Sequence, residues 1–236
     1  MSVSNWKERE REQRCNDILD VAETLFFSKG YDNVSMNSIA KEVGLGKSTL
    51  YIYFDNKEEL FYAVVLRGVN ILSFMIKEKV GKEDTGIEKL NAFKKAYEKF
   101  IKKYHEYFQA YNYLKSGRFD LNYMLSSDYS EILMKSMFYS VHIPSNFLNA
   151  NETIKEIFKL REKIFFTLYK SIKLGIKEGT IRSDVDPLKI TILQILICEN
   201  MGNLPFDFRM IIEGQGLNYV NFTKELDDFV SQLYIK

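Results

Sequence analysis

Cysteine, proline, histidine and excess charge of one sign are all scarce in this chain, and each shortage excludes something. The two cysteines, Cys15 and Cys198, lie far apart and form no metal or redox spacing. They fit a reducing compartment as small apolar fillers, so a cytoplasmic location is expected and a disulfide framework is not. The two histidines, His105 and His142, have no acid or cysteine at ligand spacing, so neither a metal nor a cofactor is expected. The three prolines, Pro144, Pro187 and Pro205, all fit positions outside helix interiors. Lys and Arg number 33 against 32 Asp and Glu, and a net charge of +1 leaves no large field to steer partners. The first residues are charged and polar, which predicts no export signal. No apolar window of membrane-spanning length is expected. The most apolar stretch, Ile190–Cys198, contains Thr191 and Gln194 and is bounded by Lys189 and Glu199. Nucleophile motifs, an HExxH pair, glycine-rich phosphate loops and internal repeats are missing too, which argues against an enzyme on a helical scaffold.

What is present is helical patterning with few breakers, over 236 residues that are 46% apolar and 14% aromatic. The most informative stretch is Ser35 to Phe54, SMNSIAKEVGLGKSTLYIYF. Ile39, Val43, Leu45 and Leu50 are spaced to clamp two short helices together, and Ala40 is small where the second must come close. Gly44 falls where a backbone of positive φ ends the first helix. The interval from Ala40 to Leu45 fits the tight turn of a helix-turn-helix. The second helix offers Lys47, Ser48, Thr49, Tyr51 and Tyr53, all hydrogen-bond donors and none negative, a face suited to a polyanion. Gly46-Lys47-Ser48-Thr49 imitates the end of a phosphate-binding loop. Lys41 stands where that loop needs its first glycine, and no strand precedes it.

The flanks extend the pattern. Asn5 and Glu8 fit a capping box for a first helix carrying Ile18, Ala22, Leu25 and Phe26 and ending at Lys29-Gly30. Ser35 suits a cap for the next helix, and Asn56-Lys57-Glu58-Glu59 opens another to about Lys79. On these residues, Ile18 to Phe61 resembles the N-terminal domain of TetR/AcrR-type repressors along its whole length. The marks are Ala22, Leu25 and Phe26 before Gly30, Ser35 before Ile39-Ala40, Gly44, Leu50-Tyr51, Tyr53-Phe54, Asn56-Lys57 and Leu60. Beyond it the likeness is one of length, helical content and a Gly179…Asp184-Val185-Asp186 turn.

The resemblance implies an all-α transcription regulator of two domains: a three-helix DNA-binding domain over residues 1–56, and a helical bundle over 57–236 for ligand binding and dimerisation. It implies that Ser35 and Asn37 open the supporting helix with phosphate and base contacts. Lys47, Ser48 and Thr49 would enter the major groove, Tyr51 and Tyr53 would hold phosphates, and Lys57 would meet the DNA backbone. Asn37 replaces the long basic residue often found there, and asparagine pairs with adenine. Residues 1–57 hold eight Lys/Arg and nine Asp/Glu, so affinity must come from local placement and the salt dependence should be shallow.

After a polar break at Gly81–Gly86, helices are expected from Ile87 to Tyr104, through Phe108 to Leu114, from Asp128 to Tyr139, from Glu152 to Lys177, from Pro187 to Asn200 and from Val220 to Tyr234. The Glu152–Lys177 and Pro187–Asn200 pair is the candidate dimer surface; the alternative is that both faces are internal. The resemblance implies a homodimer through a four-helix bundle, a pseudo-palindromic site in double-stranded DNA and release by a small molecule. The central aromatics suit an apolar or aromatic effector, with Tyr104, Phe108, Tyr111, Tyr123 and Tyr169 as candidates. A ligand-independent architectural DNA-binding factor would share the helix-turn-helix and have a solid second domain.

Overall fold

A computed structural model describes residues 3–119, 152–200 and 204–236. Among these the chain is all-helical: α1 (Val3–Lys29), α2 (Met36–Val43), α3 (Lys47–Tyr53), α4 (Lys57–Val80), α5 (Gly86–Lys103), α6 (His105–Leu114), α7 (Glu152–Glu178), α8 (Pro187–Asn200), α9 (Phe206–Gly214) and α10 (Tyr219–Gln232). The expected Asp128–Tyr139 helix, Tyr123, His142 and Pro144 lie outside the described residues.

The chain divides into two compact units. One holds residues up to Asn70 together with Glu106–Lys159, the other Ile71–His105 with Leu160–Lys236. The sequence boundary after residue 56 therefore falls inside the first unit, which takes in the front of α4.

The first unit is built on α1. Ile18, Ala22, Leu25 and Phe26 are buried from it, Ile39 and Ala40 from α2, Leu50 from α3, and Leu60, Phe61, Val64 and Val65 from α4. Arg67 clasps α1 to α4 through Asp20 (2.6 Å) and Glu23 (3.0 Å). The Tyr107 hydroxyl of α6 donates to the same Glu23. Beneath lies a ring cluster: Phe61 stacks on Phe119 at 5.5 Å, meets Tyr31 at 4.9 Å and Phe26 at 5.4 Å, and approaches Tyr113 at 5.8 Å. Part of the aromatic richness of the sequence is thus the core of this unit.

In the second unit α5 starts with a capping box, in which the Thr85 amide donates to Glu88 (3.1 Å) and the Glu88 amide to the Thr85 hydroxyl (3.4 Å). Gly86 follows at a close crossing: a Cβ there would stand 2.1 Å from the Gly175 nitrogen of α7. Asp186 caps α8, accepting from the Leu188 amide at 2.8 Å, with Pro187 as first helical residue. The C-terminal strand-like tail is tied down by the Arg182 amide to the Tyr234 carbonyl (2.9 Å) and the Lys236 amide to the Thr180 carbonyl (3.2 Å).

Three expectations need correction. Helix α1 starts at Val3, so Asn5 lies within its first turn and is no N-cap. Helix α9 was not anticipated; Pro205 is its N-cap residue. And α4 is long and apolar enough to cross a membrane by length and composition, with a mean hydropathy of 1.6 over its best window. One face of it is buried within the chain: Leu60, Val64, Leu72, Ile76 and Val80 recur there.

Candidate nucleic-acid interface

The helix-turn-helix is set by its caps. Ser35 adopts an extended backbone and accepts from the Ser38 amide at 3.1 Å, while the Ser35 amide donates to the Ser38 hydroxyl at 3.0 Å. Ser38 takes the place that glutamate holds in most such boxes. At the other end Gly44 sits at φ 74°, a left-handed conformation. The Leu45 amide reaches back to the Ala40 carbonyl at 2.9 Å, which closes the turn. Val43 and Leu45 are half-buried between the helices, and Ile39 and Leu50 are fully buried beneath them.

Helix α3 leaves three parallel stripes. At about 100° per residue, Lys47–Tyr51, Ser48–Ile52 and Thr49–Tyr53 are successive i,i+4 pairs, and Leu50 alone points inward. Lys47, Ser48 and Tyr51 are exposed; Thr49 and Tyr53 are half-buried at the far edge. The Lys47 ammonium lies 5.8 Å from the centre of the Tyr51 ring. Ile52, passed over in the sequence because it donates no hydrogen bond, is 71% exposed. Ser35 and Asn37 are exposed at the start of α2.

Lys57, expected at the DNA backbone, is half-buried and in contact with Tyr31. Its ammonium donates to the Tyr31 carbonyl at 3.0 Å and sits 4.1 Å over the Tyr31 ring. Burial, followed by nearby Glu58, pushes the Tyr31 hydroxyl up to about 12. Lys57 thus ties the turn before α2 to the start of α4. The same turn is held on its outer side by Asp32, which accepts from Arg118 (2.8 Å) and Tyr113 (3.0 Å).

The candidate effector residues fall into both units. Phe108 is buried and Tyr111 half-buried in the first; Tyr104 and Tyr169 are half-buried in the second, and Tyr123 lies outside the described residues. Tyr104 lies against Phe100 at 5.8 Å and Tyr169 stacks on Phe165 at 6.3 Å. An open hollow of about 380 Å³ lies along α5, and Lys95, Glu98, Lys99, Lys102 and Lys103 line it, none of them aromatic.

The candidate dimer helix α8 is inverted relative to a helix of a closed bundle. Thr191 and Gln194 are buried, whereas Ile192, Leu193 and Leu196 are exposed. Inside, the Tyr234 hydroxyl donates to the Gln194 carbonyl oxygen at 2.7 Å, and the Gln194 amide reaches Asp227 at 3.4 Å. Lys94 pairs with Asp227 and donates to Ser231 at 3.0 Å. Farther along, Tyr97 donates to Glu199 (2.9 Å), and Arg161 binds both Tyr97 (2.8 Å) and Glu199. Burial holds the Tyr97 hydroxyl well above its ordinary value.

Comparison with known proteins gives the same reading for the N-terminal part. Residues 18–64 match the family described as bacterial regulatory proteins, tetR family. A helix-turn-helix-type transcriptional regulator of Staphylococcus aureus (strain USA300) is 41% identical over 70 residues, covering 30% of this chain and 36% of that protein. The match thus spans about a third of that relative's length. A regulator from Saccharomonospora viridis solved with choline superposes at a TM-score of 0.63 with 15% identity, covering 95% of this chain and 99% of that one. AibR, solved with isovaleryl coenzyme A and operator DNA, gives a TM-score of 0.50 at 19% identity, covering 79% and 84%. Likeness at this identity establishes a shared fold.

Proposed function

We propose that this chain, whose residues 18–64 match the tetR family of bacterial regulatory proteins, is a TetR-type regulator: a dimeric, ligand-responsive repressor of a pseudo-palindromic DNA site. One observation carries the reading. A short helix is seated on a buried Leu50 and leaves Lys47, Ser48 and Tyr51 exposed with no acidic side chain among them. Lys47 and Ser48 are assigned to base edges in the major groove, and Tyr51 to a phosphate. Ser35 and Asn37, exposed at the front of α2, flank the same groove, Thr49 enters it beside Ser48, and Tyr53 serves the backbone at its edge. Lys57 is assigned to holding Tyr31 in place.

The dimer reading is supported by α8, whose apolar stripe is left uncovered in one copy of the chain. Two such copies would set their recognition helices about 34–36 Å apart, one turn of DNA. Residues 1–56 form the DNA-binding part in this scheme and residues 57–236 the sensing and pairing part. The effector is assigned to a small apolar or aromatic molecule, with some of Tyr104, Phe108, Tyr111, Tyr123 and Tyr169 as candidate contacts. Small molecules bound to two proteins of the same fold support an effector of some kind. It releases DNA by binding one helix spacing better than the other. Work on DNA implies the cytoplasm as its place.

In-vitro selection of duplexes on the full chain, repeated with metabolite extract, tests this. The expected result is a two-fold symmetric sequence whose enrichment falls when extract is added. Enrichment of no sequence overturns the regulator reading. A symmetric site indifferent to every extract replaces the sensor by a ligand-independent architectural factor.

A further inference from the structure

Ile52 is the residue of α3 that the function proposed above leaves unused. It is 71% exposed, more than Tyr51 beside it at 40%. With Leu50 fully buried as the inward direction, the helix turn places Ser48 and Ile52 about 160° away from it, on either side of the outward line. Lys47 and Tyr53 are each only about 60° from Leu50, and Tyr51 and Thr49 about 100°. The centre of the exposed face is therefore one hydroxyl and one branched hydrocarbon, and the other donors stand at its margins. A helix of seven residues that enters a groove outward-first brings Ser48 and Ile52 closest to the base edges.

The chemistry of the groove then selects the partner of Ile52. Its side chain offers no hydrogen bond, so facing the donors and acceptors of G, C or A it would leave them without a partner after stripping their water. Thymine alone presents a hydrocarbon group on the major-groove edge, its 5-methyl. We infer that Ile52 is a specificity-determining residue that packs on a thymine methyl at one position of each half-site, beside the base pair met by Ser48. This rests on the DNA-binding function proposed above.

The test uses the selected duplex and the full-length protein. Each thymine of the half-site is replaced in turn by deoxyuracil, which keeps every hydrogen-bonding group and removes only the methyl. At one position wild-type affinity should fall about 4-fold per half-site, the effect of one buried methyl-sized group. Ile52→Ala should weaken binding to the thymine duplex and be indifferent to deoxyuracil at that same position. Wild-type binding unchanged within a factor of two at every deoxyuracil position overturns the inference and leaves DNA recognition standing. So does a selected half-site without thymine, or an Ile52→Ala variant that loses the same factor on both duplexes. Enrichment of no sequence at all takes away the function and this inference together. The wild-type arm does not depend on the variant's folding.

Discussion

Leu50 has none of its surface exposed, and Ile52, two positions on, has 71%. That contrast decides what each substitution on α3 should do. Leu50→Ala would leave a cavity under the helix and cost about 2–5 kcal/mol of stability. Lys47→Ala should leave the fold intact and relax preference at one base pair, by about 1–3 kcal/mol in a competition shift assay. Tyr51→Ala should weaken binding to all sequences alike, since a phosphate contact carries no sequence information. If Lys47→Ala and Tyr51→Ala both bind as the parent does, the assigned orientation of α3 is wrong. The salt dependence belongs to the same scale. With Lys57 turned onto Tyr31, still fewer cations face DNA, so the log–log slope should be shallower than about −8.

Tyr234 gives a prediction of a different kind. Burial raises its hydroxyl from 10.0 to about 12. Below pH 10 the neutral hydroxyl is the form present in both folded and unfolded chains, and its contribution is complete. Between pH 10 and 12 the unfolded chain gives up a proton that the folded chain keeps, so stability falls across that window. The melting temperature should drop as pH rises from about 10 to 12. Tyr234→Phe should show a flatter decline from a lower start, because Gln194 loses the donor it has at 2.7 Å. Parallel pH profiles of the two proteins would count against the assignment.

At the scale of elements, caps and turns were the most legible features. Ser35, Gly44 and the Asp186-Pro187 pair act through their own backbone neighbours, and their chemistry is local enough to read from sequence. Ser35→Ala should cost about 1 kcal/mol of stability in chemical denaturation, with the loss in the midpoint and none in the slope. Gly86 was visible only as part of a polar break. Its reason is the backbone of α7, some ninety residues away, and no local pattern announces that. Gly86→Ala forces α5 and α7 apart and should lower the melting temperature more than Ser35→Ala; an equal or smaller effect would show that the crossing yields easily. The first-helix cap at Asn5 failed for the opposite reason. A residue suited to capping is not one when the helix already runs through it. Helix α9 escaped because Phe206, Phe208, Met210 and Ile211 follow no single-faced period, although Pro205 before them is a start signal.

At the scale of the whole molecule, those same residues bear on assembly. Phe206 is 76% exposed, and Phe208, Met210 and Ile211 are each more than half exposed. They lie on more than one side of α9, beside the exposed Arg209–Glu213 pair, and Ile212 is its buried residue. With Ile192, Leu193 and Leu196 of α8 they sum, over two helices, to roughly 700 Å² of exposed apolar side chain at about 200 Å² per large side chain. A standard interface buries about 800 Å² on each partner, an area of the same order. A second copy related by two-fold symmetry meets the requirement, because each copy brings the same apolar stripe. Leu196→Glu puts a charge in the middle of the α8 stripe without touching the buried Thr191–Gln194 side. Light scattering at tens of micromolar should then report a monomer for this variant and a dimer for the parent. DNA affinity for the full symmetric site should fall about 10²–10⁴-fold, the advantage of joining two half-site contacts, while affinity for an isolated half-site stays at the parental value. A Phe206→Ser/Phe208→Ser protein separates the two helices. A weakened dimer assigns α9 to the interface along with α8, and an unchanged one leaves the pairing to α8 alone. A parent protein that is itself monomeric at these concentrations removes the dimer and the two-fold operator with it.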